Sequence, residues 1–123
     1  MSKLNGLLIG ALALATCPML ATAGDFPTGV YASKGVPATI HFASGGRVRV
    51  VKSGALKVDG SYAIDRDQIQ LSDKNGPWAC TKPGEETGTY HWKADKDQLT
   101  FTKIADTCAD RVQSLTQYTW KRR

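Results

Sequence analysis

The sequence predicts an all-β domain in which about eight short strands form an antiparallel meander that closes into a small barrel. Two observations predict this fold class. No segment after residue 23 keeps a helical period of apolar residues for three turns, whereas short alternating runs recur between Gly, Asp, Asn and Pro. In addition, a hairpin-like segment occurs twice.

The repeat is the clearest hairpin signal in the chain. Residues 60–72, GSYAIDRDQIQLS, return as residues 88–102, GTYHWKADKDQLTFT, with the second copy two residues longer at the turn. In each copy an aromatic strand leads into an Asp-basic-Asp turn and returns through an alternating strand, as a β-hairpin requires. The repeat therefore predicts a fold assembled from hairpins.

The predicted strands are short and closely spaced. Within them apolar side chains share one face at every second position, as Tyr62 and Ile64 do, while mostly polar side chains occupy the other face. One apolar and one polar face imply a sheet folded over a single core, and closure removes exposed strand edges. The strands are expected at residues 28–32, 38–42, 47–52, 57–64, 68–72, 88–93, 98–103 and 116–121.

A short helical turn is predicted before the last strand. Val112 and Leu115 lie three residues apart, behind candidate N-caps at Asp106 or Thr107. Cys108 would then tie this turn to the loop that contains Cys80, at one end of the barrel.

The start of the chain has the composition of an export signal. Lys3 supplies the positive charge, residues 7–15 supply the apolar core, and residues 21–23 are small, as a cleavage site requires. The apolar run is too short to span a bilayer as a helix, and no second such run follows. We expect a signal peptide at residues 1–23, a single barrel domain at residues 24–123, no transmembrane segment, and a periplasmic or secreted location.

The three cysteines divide between the signal and the domain. Cys17 stands in a pattern that loosely resembles the lipidation box of bacterial lipoproteins, but Thr16 and Pro18 depart from it. Lipid anchoring is therefore the less favoured alternative to removal of Cys17 with the signal. Removal leaves Cys80 and Cys108 as an even pair, which predicts a disulfide in an exported chain.

The charge pattern argues against a nucleic-acid partner. The chain has 16 Lys and Arg against 11 Asp and Glu, and loss of Lys3 leaves a modest positive charge. Except at residues 121–123, the basic residues are scattered singly, whereas nucleic-acid binding usually requires a clustered basic face. We interpret the charge as that of a solvated surface.

Residue types that support catalysis or metal binding do not cluster in the sequence. His41 and His91 fall on polar strand faces and have no adjacent Cys or His ligand. The acid pairs in residues 65–67 and 95–97 could bind a hard cation or perform acid-base chemistry, but their place in both repeats favours a turn-forming role. We predict no enzyme activity, no catalytic residue, no metal site and no cofactor.

The C-terminal half also contains a family-like motif. Residues 88–102 are followed by Asp106, Cys108, Asp110, Arg111 and the closing Tyr-Thr-Trp at 118–120. This run resembles a group of small exported bacterial β-barrel proteins of lipocalin-like, or calycin, type, with Cys80 at the position of the group's first cysteine. The resemblance implies a barrel fold and export more than an activity, since most members have no assigned function.

A lipocalin-like barrel implies a small apolar ligand held between the strands. The inward aromatic side chains could line such a pocket or simply fill the core, and Arg111 could clamp a carboxylate of a neighbour or of a ligand. The candidate ligand-binding residues are Tyr62, Tyr90, Trp92, Phe101, Arg111, Tyr118 and Trp120. We hypothesise a non-enzymatic exported barrel that binds a small apolar or amphipathic ligand. The alternative is an inhibitor or an envelope protein-interaction module that acts through its surface, and neither hypothesis identifies a protein partner.

Overall fold

The computed structural model describes residues 26–123, so the predicted signal peptide and the alternative lipidation site at Cys17 lie outside the described residues. The described chain folds into strands β1 to β8 and helix α1, which spans Ala109–Thr116 and lies between β7 and β8. The strands are β1 (Gly29–Ala32), β2 (Thr39–Phe42), β3 (Arg47–Lys52), β4 (Ala55–Asp65), β5 (Gln68–Asn75), β6 (Thr87–Asp95), β7 (Gln98–Ala105) and β8 (Trp120–Arg122).

The strands form a closed barrel in sequence order. Each strand pairs antiparallel with the next, and β8 returns to pair with β1 by aligning Tyr31 with Arg122. The backbone N–H of Arg123 extends this closing pair by donating to the oxygen of Val30 at 2.8 Å. The predicted fold class, a closed antiparallel meander with a short helix before the last strand, is therefore confirmed.

Alternation along the strands determines which side chains fill the barrel. In β5, Ile69 and Leu71 are buried while Gln70 between them is exposed. In β7, Leu99 and Phe101 are buried in the same way. Removing a side chain of this size from water stabilises the folded state by roughly 1.5–3 kcal/mol, so the inner faces of the hairpins supply the core.

Three tight connections, β2–β3, β4–β5 and β6–β7, meet at one end of the barrel, which we call the closed end. A backbone oxygen in each connection accepts a hydrogen bond from a backbone N–H of the strand beside it. The pairs are Tyr62 to Gly46 at 2.8 Å, Trp92 to Asp67 at 2.9 Å and Arg122 to Asp97 at 2.7 Å. The two repeated hairpins thus use the same contact to join the following strand.

The repeated turns also share their backbone conformation. Arg66 has φ of 59° and Lys96 has φ of 58°, both in the left-handed region. The sequence pattern assigns the turn to the flanking Asp residues. In the structure, the basic residue between them adopts the left-handed conformation, which is unfavourable for residues that carry a side chain. This conformation costs a residue other than glycine roughly 1–2 kcal/mol.

Replacing Lys96 with Gly is expected to raise the free energy of unfolding by up to about 1 kcal/mol, because Gly adopts this φ without steric cost. Lys93→Gly is the matched control, since Lys93 lies within β6, and it should instead lower the stability by about 0.5–1 kcal/mol. Urea unfolding followed by circular dichroism measures both. Equal changes in the two variants would show that the turn is not strained.

Aromatic side chains fill the barrel at the closed end, and we call this cluster the aromatic floor. Phe26, just before β1, lies with its ring centroid 5.1 Å from that of Phe42 and 5.1 Å from that of Trp92, both edge to face. Edge-to-face pairs contribute about 0.5–1.5 kcal/mol beyond burial. The members of the aromatic floor are Phe26, Phe42, Tyr62, Trp92 and Phe101.

The structure corrects the prediction at the end of the chain. The last strand was expected at residues 116–121, but Thr116 is the final residue of α1 and β8 begins at Trp120. The N-cap is Cys108 rather than Asp106 or Thr107, and its side chain makes no capping hydrogen bond. The physical reason is that the Asp106 carboxylate instead accepts hydrogen bonds from the buried guanidinium of Arg111. Within residues 26–123, no helix has both the length and the apolar character needed to span a bilayer.

Candidate functional site

A half-open cavity of about 770 Å³ lies at the end of the barrel opposite the aromatic floor, between the barrel core and the connections that surround that end. We call this the open end; the β1–β2, β3–β4 and β5–β6 connections and the α1 segment surround it. Phe42 and Val48 line the bottom of the cavity, where it meets the aromatic floor. The other apolar lining residues include Val36, Ala38, Ile40, Val50, Val58, Leu71, Trp78, Leu115 and Trp120.

The composition of the wall suits a small organic molecule. Ligand pockets in proteins are usually about 300–1,000 Å³, mostly apolar, and carry a few polar groups that orient the ligand. Here the polar groups come from the α1 segment, the β5–β6 connection and the end of β5. They are Asp73, Thr81, Lys82, Glu85, Thr107, Asp110, Arg111 and Ser114.

Arg111 and Asp73 are the most enclosed of these charged groups, since each side chain is only 8% exposed. Nε and Nη2 bind both carboxylate oxygens of Asp106 at 2.7 and 2.8 Å, and Nη1 lies 3.1 Å from Asp73 Oδ2. Nη2 and Nη1 also donate to the backbone oxygens of Glu85 and Glu86 at 2.7 and 3.3 Å. Because all three nitrogens are engaged, Arg111 acts as a tether rather than a free anion receptor.

The Asp106 carboxylate has further donors around it. The Tyr90 hydroxyl donates to Oδ2, and the backbone N–H of Cys108 donates to Oδ1 at 2.9 Å. Gly88 makes room for this group, because a Cβ at that position would overlap the carboxylate.

On the other side of Arg111, the Cys80 N–H donates to Asp73 Oδ2 at 2.8 Å. The network therefore joins β5, β6, the β5–β6 connection and α1.

Burial and hydrogen bonding together lower the pKa of Asp106 and raise the pKa values of Tyr90 and Arg111. Burial alone would raise the pKa of Asp106, but hydrogen bonds from Arg111, Tyr90 and Cys108 outweigh it and hold the pKa below its ordinary value. Burial, reinforced by the hydrogen bond to the Asp106 carboxylate, raises the pKa of Tyr90 well above its ordinary value. Burial would lower the pKa of Arg111, yet the two carboxylates raise it. Asp106 and Arg111 therefore stay charged at neutral pH.

The predicted disulfide is present and ties the same two segments. Cys80 in the β5–β6 connection is bonded to Cys108 at the start of α1, with their Cα atoms 6.3 Å apart. Both cysteines line the cavity. The disulfide and the Arg111 network thus hold the segments that partly cover the open end.

The structure brings two of the seven candidate ligand-binding residues to the cavity, Arg111 and Trp120. Tyr62, Trp92 and Phe101 belong to the aromatic floor instead. The other two lie elsewhere: Tyr90 donates its hydroxyl to the Arg111 network, and the Tyr118 ring packs 6.4 Å from that of Trp120.

Trp120 is the one candidate that combines burial, cavity contact and an unmet hydrogen bond. It is 2% exposed and lines the cavity, and its Nε1 has no acceptor within residues 26–123. An unpaired buried donor costs roughly 1–3 kcal/mol. The alternating pattern correctly indicated that this side chain points inward.

Sequence reasoning did not identify Trp78 or the aliphatic wall as site residues. Trp78 lies in the β5–β6 connection, where no strand period marks it, yet it lines the cavity and is 45% exposed. The alternation of Val48 and Val50 with arginines predicts that both valines point inward, but aliphatic side chains in a strand give no signal that separates pocket wall from core. Which of the inward side chains line the cavity depends on their contacts with residues that are distant in sequence.

The histidines and turn acids are not among the residues that line the cavity. His41 is half-buried beside Thr39, and burial, together with the charges of Arg49 and Arg123, lowers its pKa. His91 is exposed, with Nδ1 3.4 Å from Oδ2 of Asp67. In the part of the chain that the structure describes, no three His, Cys, Asp or Glu side chains are grouped to hold a metal ion.

The open end is therefore the candidate site. It contains the apolar cavity, and the segments that partly cover it are held by the disulfide and the Arg111 network. Comparison with protein-family models, with curated proteins and with solved structures finds no match to this chain.

Proposed function

We propose that this protein is an exported, non-enzymatic β-barrel that binds a small apolar or amphipathic molecule in the cavity at its open end. The observation that carries the proposal is the cavity itself, about 770 Å³ in volume and lined mainly by apolar side chains. A barrel that was solid throughout would have no such space. The resemblance to lipocalin-like proteins supports the same function.

The polar groups at the open end favour an amphipathic ligand over a purely apolar one. The apolar end of the ligand would lie against Ile40, Val50 and Leu71, deep in the barrel. Its polar end would face Lys82 and Asp110, which line the cavity and are exposed. Arg111 would not bind the ligand head, because its nitrogens are already engaged.

Export is part of the proposal and has separate support. A disulfide between Cys80 and Cys108 is typical of proteins that fold in an oxidising compartment. The segment at residues 1–23 has the composition of a signal peptide. Mass spectrometry of the protein from its own host would show whether the mature chain begins at Gly24 and would detect a retained ligand.

Cavity binding is tested by filling the cavity. Val50→Phe adds volume to a residue that lines the cavity, and we expect it to reduce binding of an uncharged naphthylamine dye at least about tenfold, because the ligand and the new ring compete for the same space. Dye fluorescence and titration calorimetry measure the affinity.

Val51→Phe is the matched control, since Val51 neighbours Val50 but does not line the cavity. It should leave dye binding unchanged. If wild-type protein binds no dye, or if both variants bind it as wild type does, the cavity is not the binding site.

A further inference from the structure

A compact group of apolar and basic side chains lies on the rim of the open end, and we call it the rim patch. It consists of Lys52, Leu56 and Lys57 from the tip of the β3–β4 hairpin, with Trp78 from the β5–β6 connection. The backbone N–H of Trp78 donates to the oxygen of Lys57 at 3.0 Å, so the two segments are in direct contact. Trp78 therefore lies against the β3–β4 hairpin, and Leu56 precedes Lys57 on that hairpin.

The apolar part of the rim patch is unusually open to solvent. Trp78 is 45% exposed and Leu56 is 42% exposed. Among the described residues, the other large apolar side chain with such exposure is Ile104, at 41%, near the open end of β7. The exposed apolar surface thus lies around the cavity mouth, whereas the aromatic floor seals the opposite end. Exposed apolar side chains that adjoin a ligand cavity are candidates for an interaction surface.

The basic part of the rim patch indicates the charge of the partner. The Nζ atoms of Lys52 and Lys57 lie 5.7 and 5.6 Å from the centroid of the Trp78 ring. Neither lysine forms an ion pair with a carboxylate in residues 26–123. Two like charges beside one ring repel each other, and an anion placed between them would relieve that repulsion.

A bilayer with anionic headgroups fits both properties. Tryptophan is enriched at the level of lipid headgroups, because its ring is apolar and its N–H is polar. Lysines near an anionic bilayer each contribute about 1 kcal/mol to attraction, and an adjacent leucine can enter the boundary of the acyl chains. A protein partner would also need acidic groups matched to both lysines, whereas an anionic bilayer presents them at every orientation.

We propose that the rim patch docks the open end of the barrel onto a bilayer that contains anionic lipids. The docked orientation turns the cavity mouth toward the lipid. This inference goes beyond ligand binding and does not rest on it, since docking requires only the rim patch. If both hold, an amphipathic ligand passes between bilayer and cavity without crossing open water.

Docking is tested by flotation of the protein with vesicles, without added ligand. We expect partition onto vesicles of phosphatidylcholine with about one-third phosphatidylglycerol, and little onto phosphatidylcholine alone. Raising the salt concentration should weaken partition. The paired substitution of Lys52→Gln and Lys57→Gln should lower the partition coefficient about thirtyfold, which corresponds to about 1 kcal/mol per lysine. Trp78→Ala should lower it at least about tenfold.

A variant with Lys93→Gln and Lys96→Gln removes the same charge from exposed positions away from the open end, and it should bind as wild type does. Equal loss in the two charge variants would show general electrostatic attraction and overturn the proposal. Absence of partition onto anionic vesicles would also overturn the proposal. So would a wild-type protein that forms dimers but does not bind vesicles, if Trp78→Ala abolished the dimer. Because flotation is carried out without ligand and dye binding without vesicles, failure of docking and failure of ligand binding remain distinguishable.

Discussion

Replacing Arg111 with Met is expected to lower the free energy of unfolding by about 3–5 kcal/mol at neutral pH. Met keeps much of the apolar stem but removes the cation, which leaves Asp73 and Asp106 buried without their counter-ion; their side chains are 8% and 0% exposed. The backbone oxygens of Glu85 and Glu86 lose their donors as well. Urea unfolding followed by tryptophan fluorescence measures the loss.

The pH dependence of this loss has a defined sign. In the wild type the pKa of Asp106 is held below its ordinary value, so its contribution is present above the unfolded-state pKa and disappears as pH falls through the folded-state pKa. Without Arg111, burial raises the pKa of Asp106, and protonation relieves the cost of its buried charge. The stability difference between wild type and variant should therefore shrink toward acid pH.

Arg47→Met is the matched control for the buried pair. Arg47 Nε binds Asp59 Oδ1 at 3.0 Å, but the Arg47 side chain is 59% exposed. An exposed ion pair of this kind contributes less than about 1 kcal/mol. If the two arginine variants lost equal stability, the Arg111 network would not be a major support of the fold.

Replacing Cys80 and Cys108 together with Ala is expected to cost about 3–4 kcal/mol, because the disulfide closes a long loop in the unfolded chain. The two cysteines are 28 residues apart in sequence. A reducing agent should lower the stability of the wild type by a similar amount and leave the double variant unchanged. Thermal and urea unfolding with and without reductant provide the comparison. A double variant as stable as the oxidised wild type would contradict the prediction.

Much of the fold could be predicted because strand faces and turns are local properties. Ile69 and Leu71 alternate with polar residues, and the Asp-basic-Asp segments mark both repeated turns. Less predictable were the strand ends. β5 continues to Asn75 beyond the predicted residue 72, since its end pairs with β4 around a bulge at Asp59 and Gly60, and there Asp73 meets Arg111, a partner far away in sequence. Composition alone favours a loop there.

The candidate site was less accessible to sequence reasoning, for a physical reason. Both core and pocket wall are inward and apolar, so period two cannot separate them. Which end of the barrel is filled core and which is pocket depends on Phe26. Phe26 lies before β1 and fills the space beside Trp92 and Tyr62. Five aromatic side chains therefore fill the closed end, whereas aliphatic side chains of the strands, together with Trp120, surround the space at the open end.

The pairing of β1 with β8 also determines how the molecule can be handled. β1 starts and β8 ends at the closed end, where Arg122 contacts Asp97. Both ends of the folded domain thus emerge on the side away from the cavity mouth. A reporter fused at either end leaves the mouth unobstructed, and a sensor chip that holds the domain by its C-terminus presents the mouth to the solution.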